Sequence, residues 1–177
     1  MPSVEFYTTR AQNDPIIQLA KGGEAFWLNP RTVAHVFEED DALSIYALDI
    51  KFEPGTGGNP GVLSTPEPPT LIGKIPVKSA TNFRYLGSSG YLVFSAYIYS
   101  DGNLTAVKDH DEAWESRGNS AYVYDTTYER HWDTWVTKKK SSLFSVRLFQ
   151  DPDRKWVFDA NFINLLDGTD HVSISCL

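Results

Sequence analysis

Short apolar runs rich in β-branched and aromatic side chains recur along the chain: Ala25 to Phe37, Ala42 to Ile50, Thr70 to Val77, Tyr91 to Tyr99, Ala121 to Tyr128, Ser142 to Phe149 and Lys155 to Phe162. Their lengths and residue types predict strands. Period-two alternation supports this in Leu43, Ile45, Ala47 and Asp49 against Ser44, Tyr46, Leu48 and Ile50. It recurs in Leu143, Ser145, Arg147 and Phe149 against Phe144, Val146 and Leu148, where one face is mainly apolar. Turn formers separate the runs at Asn29-Pro30-Arg31, at the acidic corner Glu38 to Asp41, at Gly87-Ser88-Ser89-Gly90 and at Asp101-Gly102, the last a two-residue hairpin signal. Consecutive strands are therefore expected to be antiparallel neighbours. No stretch keeps apolar residues at helical spacing over three turns, which confines helix to a turn or two at Asp109 to Glu115 and at Pro15 to Ala20. Lys51 to Pro69, with four Gly and five Pro in nineteen residues, is too long for an ordinary connection and reads as a surface insertion between two strands.

An internal repeat gives these strands an organisation. Trp27-Leu28-Asn29-Pro30-Arg31-Thr32-Val33-Ala34-His35-Val36 aligns without gaps with Tyr85-Leu86-Gly87-Ser88-Ser89-Gly90-Tyr91-Leu92-Val93-Phe94. Each copy ends a strand on an aromatic-Leu pair, turns over four residues and returns as an apolar strand, as a propeller blade begins. Blades repeat every ~40–50 residues, and the Gly/Pro insertion accounts for most of the excess here. The expected fold is all-β, a partial β-propeller of about two WD40-like antiparallel blades, without an α/β-hydrolase domain in this chain. The first blade is expected over 20–80 with 51–69 inserted, and the second, with the start of the next, over 81–177.

Composition narrows the function. The 177 residues allow one domain with a real core, and 14% aromatic against 22% charged residues exclude a mainly disordered chain. A net charge of −7 has the wrong sign for neutralising phosphates, so no nucleic-acid partner is expected. No apolar run reaches membrane-spanning length, so no membrane partner is expected either, and the first residues lack the basic and apolar regions of an export signal. Compartment stays open on this reading. Cys176 is the only cysteine, which excludes an intrachain disulfide and a cysteine-based zinc site.

Catalytic motifs are missing. There is no Gly-x-Ser-x-Gly; Gly87 to Gly90 has the wrong spacing and reads as a turn. Gly73-Lys74 is followed by Ile75 rather than Ser or Thr, which excludes a phosphate-cradling loop. An EF-hand counted from Asp109 would put Trp114 where glycine is needed. His131 and Asp133, with Asp109, His110 and Asp111, match no metal-ligand spacing, so neither metal nor cofactor is assigned. Lys138-Lys139-Lys140 reads as a solvated turn. One sequon, Asn103-Leu104-Thr105, makes Asn103 a glycosylation candidate.

The most distinctive segment runs from Tyr122 to Trp135 and interleaves large aromatics with charge. Through Tyr124, Asp125, Tyr128, Arg130, His131, Trp132 and Asp133 it closely resembles the Arg-His-Trp-Asp stretch of the dipeptidyl-peptidase V family, and Trp135, the basic stretch and the strand at Ser142 follow in the family's order. Weaker similarity extends upstream through Tyr91 to Tyr99 and Phe83 to Leu86, back to Phe26-Trp27-Leu28. The resemblance implies a prolyl-oligopeptidase-related serine peptidase, extracellular in the family, in which a propeller precedes the C-terminal hydrolase domain and limits access to small peptides. It implies further that this chain begins past the family's signal peptide and stops before the hydrolase domain. The chain would then hold no catalytic residue and no peptidase activity of its own, and would meet peptide substrate only within a full-length enzyme. The aromatic block would serve as cement between blades, with a gating contribution. Two other readings remain: a free-standing carbohydrate-binding β domain using Trp114 or Trp156 as stacking platforms, and an interaction module that self-associates through uncovered blade edges.

Overall fold

A computed structural model describes residues 23–55, 61–118 and 138–169. In chain order the elements are β1 (Ala25–Asn29), β2 (Thr32–Glu39), β3 (Ala42–Asp49), β4 (Lys51–Glu53), β5 (Val62–Ser64), β6 (Thr70–Ile75), β7 (Thr81–Leu86), β8 (Tyr91–Ile98), α1 (Val107–Glu115), β9 (Lys140–Gln150), β10 (Trp156–Phe158) and β11 (Ile163–Asn164). One sheet runs β1-β2-β3-β6 and a second β10-β9-β8-β7, with β11 also on β9; every pairing is antiparallel. The fold is all-β and partial-propeller-like, as expected from the alternation and the turns.

Local chemistry explains the hairpins. Asn29 Oδ1 accepts the backbone N–H groups of Arg31 and Thr32, both at 2.8 Å, and so closes the β1–β2 turn without help from Pro30, which has no N–H. At the acidic corner Asp40 and Asp41 both take positive φ, 51° and 65°, the backbone required between two tightly paired strands. The turn after β7 is closed by the N–H groups of Ser89 and Gly90 on the Leu86 carbonyl, at 3.0 and 2.8 Å. The sequence repeat thus falls on the first hairpin of each sheet. Both hairpins carry a bulge, between Trp27 and Asn29 in β1 and between Thr81 and Arg84 in β7.

The sheets pack face to face, β1 beside β7 and β6 beside β10. Their shared core contains Phe26, Ala34, Val36, Ile45 and Ile75 from the first sheet and Phe83, Leu92, Phe94, Phe144, Val146 and Leu148 from the second. A ladder of stacked rings crosses the interface once, at 6.1 Å between the centroids of Phe26 and Phe83, and continues within the second sheet at 5.5 Å from Phe83 to Phe94 and 5.8 Å from Phe94 to Phe144. Phe162 closes on Phe94 edge-on at 6.2 Å and on Phe158 at 5.8 Å. Phe158 lies directly over Gly73, where an added Cβ would meet its ring at 2.5 Å. The glycine lets the outer strands approach.

A polar tether complements this core. Glu24 is held on the first sheet by the Val36 N–H, which donates to its carbonyl at 2.8 Å. Its carboxylate reaches across to accept the N–H groups of Asn82 at 2.7 Å and Phe83 at 3.0 Å. Those two groups lie in the β7 bulge, where the ladder is interrupted.

Two expectations are corrected and two are refined. Asp101-Gly102 does not join two strands; β8 leads through it into α1, because Gly102 takes φ 73° and Leu104 and Val107 then tuck into the core at helical spacing. The helix, expected as a turn or two at Asp109 to Glu115, starts two residues earlier and spans nine residues, Val107–Glu115. The Lys51 to Pro69 segment lies between β3 and β6, and within it β4 pairs with β5 as a short ribbon of its own. The run from Lys155 to Phe162 is broken after Phe158, where Asp159 Oδ1 accepts the Asn161 N–H at 3.3 Å.

Candidate functional site

The family-like block enters after α1 and leaves before β9. Tyr124, Asp125, Tyr128, Arg130, His131, Trp132, Asp133 and Trp135 themselves lie outside the described residues, as does the expected strand from Ala121 to Tyr128. What the structure describes is the polar cluster that frames the block. Tyr99, at the end of β8, donates its hydroxyl to Asp111 Oδ1 at 2.8 Å. Lys139, just before β9, closes on the same carboxylate at 2.6 and 2.7 Å. Next to Asp111 on α1, His110 Nε2 meets Asp101 Oδ2 at 3.0 Å and its ring packs 4.8 Å from that of Tyr99. The cluster therefore ties α1 and Lys139 to the end of the second sheet at Tyr99.

Its electrostatics are those of an anchor. Burial, reinforced by the bond to Asp111, pushes the Tyr99 phenol up to about 12, so the hydroxyl keeps its proton and acts as a donor throughout the physiological range. Lys139 corrects the reading of Lys138 to Lys140 as a uniformly solvated turn, since its side chain is only 21% exposed. A carboxylate on the facing helix made that burial feasible. Sequence reasoning missed this triad because Tyr99, Asp111 and Lys139 are joined only by tertiary packing.

A groove of about 320 Å³ lies between α1 and the β6–β7 connection, bordered by Asp41, Lys78, Lys108, Asp111, Glu112 and Lys139. Lys78 bridges to Asp41 at 2.5 Å and to Glu38 at 3.7 Å, which fastens the β2–β3 turn to its rim. Chemically the groove is a lattice of paired charges.

Neither described histidine is joined to a serine among the described hydrogen bonds. His110 pairs with Asp101, and His35 is 3% exposed with its Nε2 unpartnered. Among the described residues no group of three or more His, Cys, Asp or Glu side chains could hold a metal ion. Among the same residues no helix is long and apolar enough to cross a membrane. Trp114 carries the Arg117 guanidinium on its ring, and Trp156 packs edge-on against Tyr85 at 5.8 Å with its Nε1 buried. Asn103 is exposed on the loop between β8 and α1.

By fold the described part is an all-β, propeller-like module with no α/β-hydrolase domain among its elements. By sequence the chain is similar to two probable dipeptidyl peptidases over part of its length. A stretch of 78 residues is 35% identical to a probable dipeptidyl-peptidase 5 of Emericella nidulans, covering 44% of this chain and 10% of that protein. Over 79 residues it is 35% identical to a probable dipeptidyl-peptidase 5 of Aspergillus clavatus, covering 44% of this chain and 11% of that protein. The matched stretch thus spans about a tenth of the length of these curated relatives. No family model and no solved structure matches the chain.

Proposed function

We propose that the chain is a non-catalytic propeller portion of a secreted-type serine dipeptidyl peptidase of the dipeptidyl-peptidase V family. In this reading the first sheet is one blade, within 20–80, and the second sheet a further blade, within 81–177. The supporting observation is the 35% identity to two probable dipeptidyl peptidases, on a chain whose two sheets repeat the same strand order. The chain's contribution is steric: stacked sheets wall the route by which peptide reaches a triad carried elsewhere in the full-length protein. The aromatic block from Tyr124 to Trp135 belongs to that wall in this proposal.

The test is activity-based labelling of the purified 177-residue chain with a fluorophosphonate, beside a competent serine peptidase. No labelled serine is expected; stoichiometric labelling would reveal a nucleophile and overturn the reading. A blade pair separated from its neighbours also leaves sheet faces and edges uncovered. Concentration-dependent self-association in sedimentation is the corresponding expectation, and a strictly monomeric chain at high concentration would contradict that part.

A further inference from the structure

We propose that Asn103 carries an N-linked glycan, and that the end of the second sheet formed by the β8–α1 loop consequently faces solvent in the mature protein. For entry into the lumen the inference rests on the secreted peptidase reading; the choice of site stands on the loop itself. Asn103-Leu104-Thr105 is the one sequon in the chain. The structure adds three observations that a bare triplet does not contain. Asn103 and Thr105 are both exposed, whereas Leu104 between them is 2% exposed and belongs to the core, so the loop is pinned with its polar side chains outward. Asn103 Oδ1 accepts both the Thr105 N–H at 3.0 Å and the Thr105 hydroxyl at 2.8 Å. That arrangement engages the carboxamide oxygen, while Nδ2 makes no hydrogen bond to the described residues.

The loop is also supported from beneath. Asn164 Nδ2 donates to the Gly102 carbonyl at 3.3 Å, and Ser142 Oγ donates to Asn164 Oδ1 at 2.7 Å. A bulky substituent on Asn103 therefore extends into solvent while the turn below it stays fixed to β9 and β11. In the transfer, Nδ2 forms a bond to the anomeric carbon of an oligosaccharide carried on a lipid pyrophosphate. The bond from that carbon to the pyrophosphate oxygen breaks, the lipid pyrophosphate leaves with the electron pair, and one Nδ2 proton passes to a base.

The experiment is secretion of the full chain from yeast behind a cleavable signal peptide, with a second sequon appended in a C-terminal tag to report entry into the lumen. Among molecules whose tag is modified, the parent chain should carry a second glycan that N-glycosidase removes, leaving Asp with solvent oxygen at position 103. Asn103→Gln and Thr105→Ala should lose it, and Thr105→Ser should keep it. A modified tag beside a bare Asn103 would overturn the proposal. So would a glycan released only after denaturation, since the structure puts this loop at the surface of the folded chain.

Discussion

Replacing Glu24 by alanine removes a carboxylate that accepts two backbone N–H groups from the opposite sheet, at 2.7 and 3.0 Å. The two bonds differ in environment. The Asn82 N–H is exposed, so water takes the place of the lost acceptor, while the Phe83 N–H is half-buried beside a ring that is 2% exposed. A hydrogen bond to a charged group contributes roughly 1.5–3 kcal/mol, and a buried donor left unmet costs about 1–3 kcal/mol. Water recovers most of the first bond, so Glu24→Ala should cost about 2 kcal/mol. For a chain of this size that lowers the melting temperature by roughly 4–8 °C. Glu24→Gln keeps one acceptor oxygen and should fall between. Urea denaturation of the three proteins gives the free energies, and amide hydrogen exchange shows whether the loss is centred on Phe83. Glu38→Ala is the control, because its exposed carboxylate meets only Lys78, at 3.7 Å, and its loss should change stability by less than about 0.5 kcal/mol. If Glu24→Ala behaves like that control and Phe83 exchange is unchanged, the carboxylate does not tether the sheets.

Further predictions probe the interface between the sheets and a buried base on β2. Phe94 is completely buried between Phe83, Phe144 and Phe162, so Phe94→Ala should cost about 3–5 kcal/mol, read by urea denaturation; a loss below 1 kcal/mol would contradict the ring ladder. Gly73→Ala sets a methyl against the Phe158 ring and should cost about 1–3 kcal/mol, with the penalty reduced in a Phe158→Ala background; additive effects in the double-mutant cycle would place the two residues apart. Burial lowers the His35 pKa below 6.5, so the native state binds fewer protons than the unfolded state once pH drops past that value. Stability should accordingly be fully present above pH 6.5 and decline as pH falls toward the depressed native value, and His35→Leu should flatten that slope. Identical pH profiles for both proteins between pH 7 and 5 would refute the assignment.

How far the sequence reached can be argued from particular elements. The hairpins were legible because Asn29, the Asp40-Asp41 pair and Gly87 to Gly90 each impose a local backbone that admits few alternatives. The repeat located the end of β7 at Tyr85-Leu86, but its beginning was hidden. Only Phe83 of that strand is buried, and its bulge interrupts the alternation. Helix α1 was underestimated because its anchors, Leu104 and Val107, precede the charged window that carries the helical signal. At the framing cluster, Tyr99 and Lys139 are forty residues apart in chain and adjacent only because β8 pairs with β9. No spacing rule links them. Asp101-Gly102 shows the converse limit: a turn signal fixes a change of direction, while the next apolar residues decide whether strand or helix follows.

The account rests on two antiparallel sheets stacked in matching order, each built on one copy of the repeat. Nuclear Overhauser contacts in the labelled 177-residue chain test this most directly. It predicts cross-peaks between the Gly73 α-protons and the Phe158 ring and between the Phe26 and Phe83 rings, with no backbone ladder joining β1 to β7. A continuous β1–β7 ladder without the Gly73–Phe158 contact would mean one closed sheet, and would contradict the stacked-blade reading.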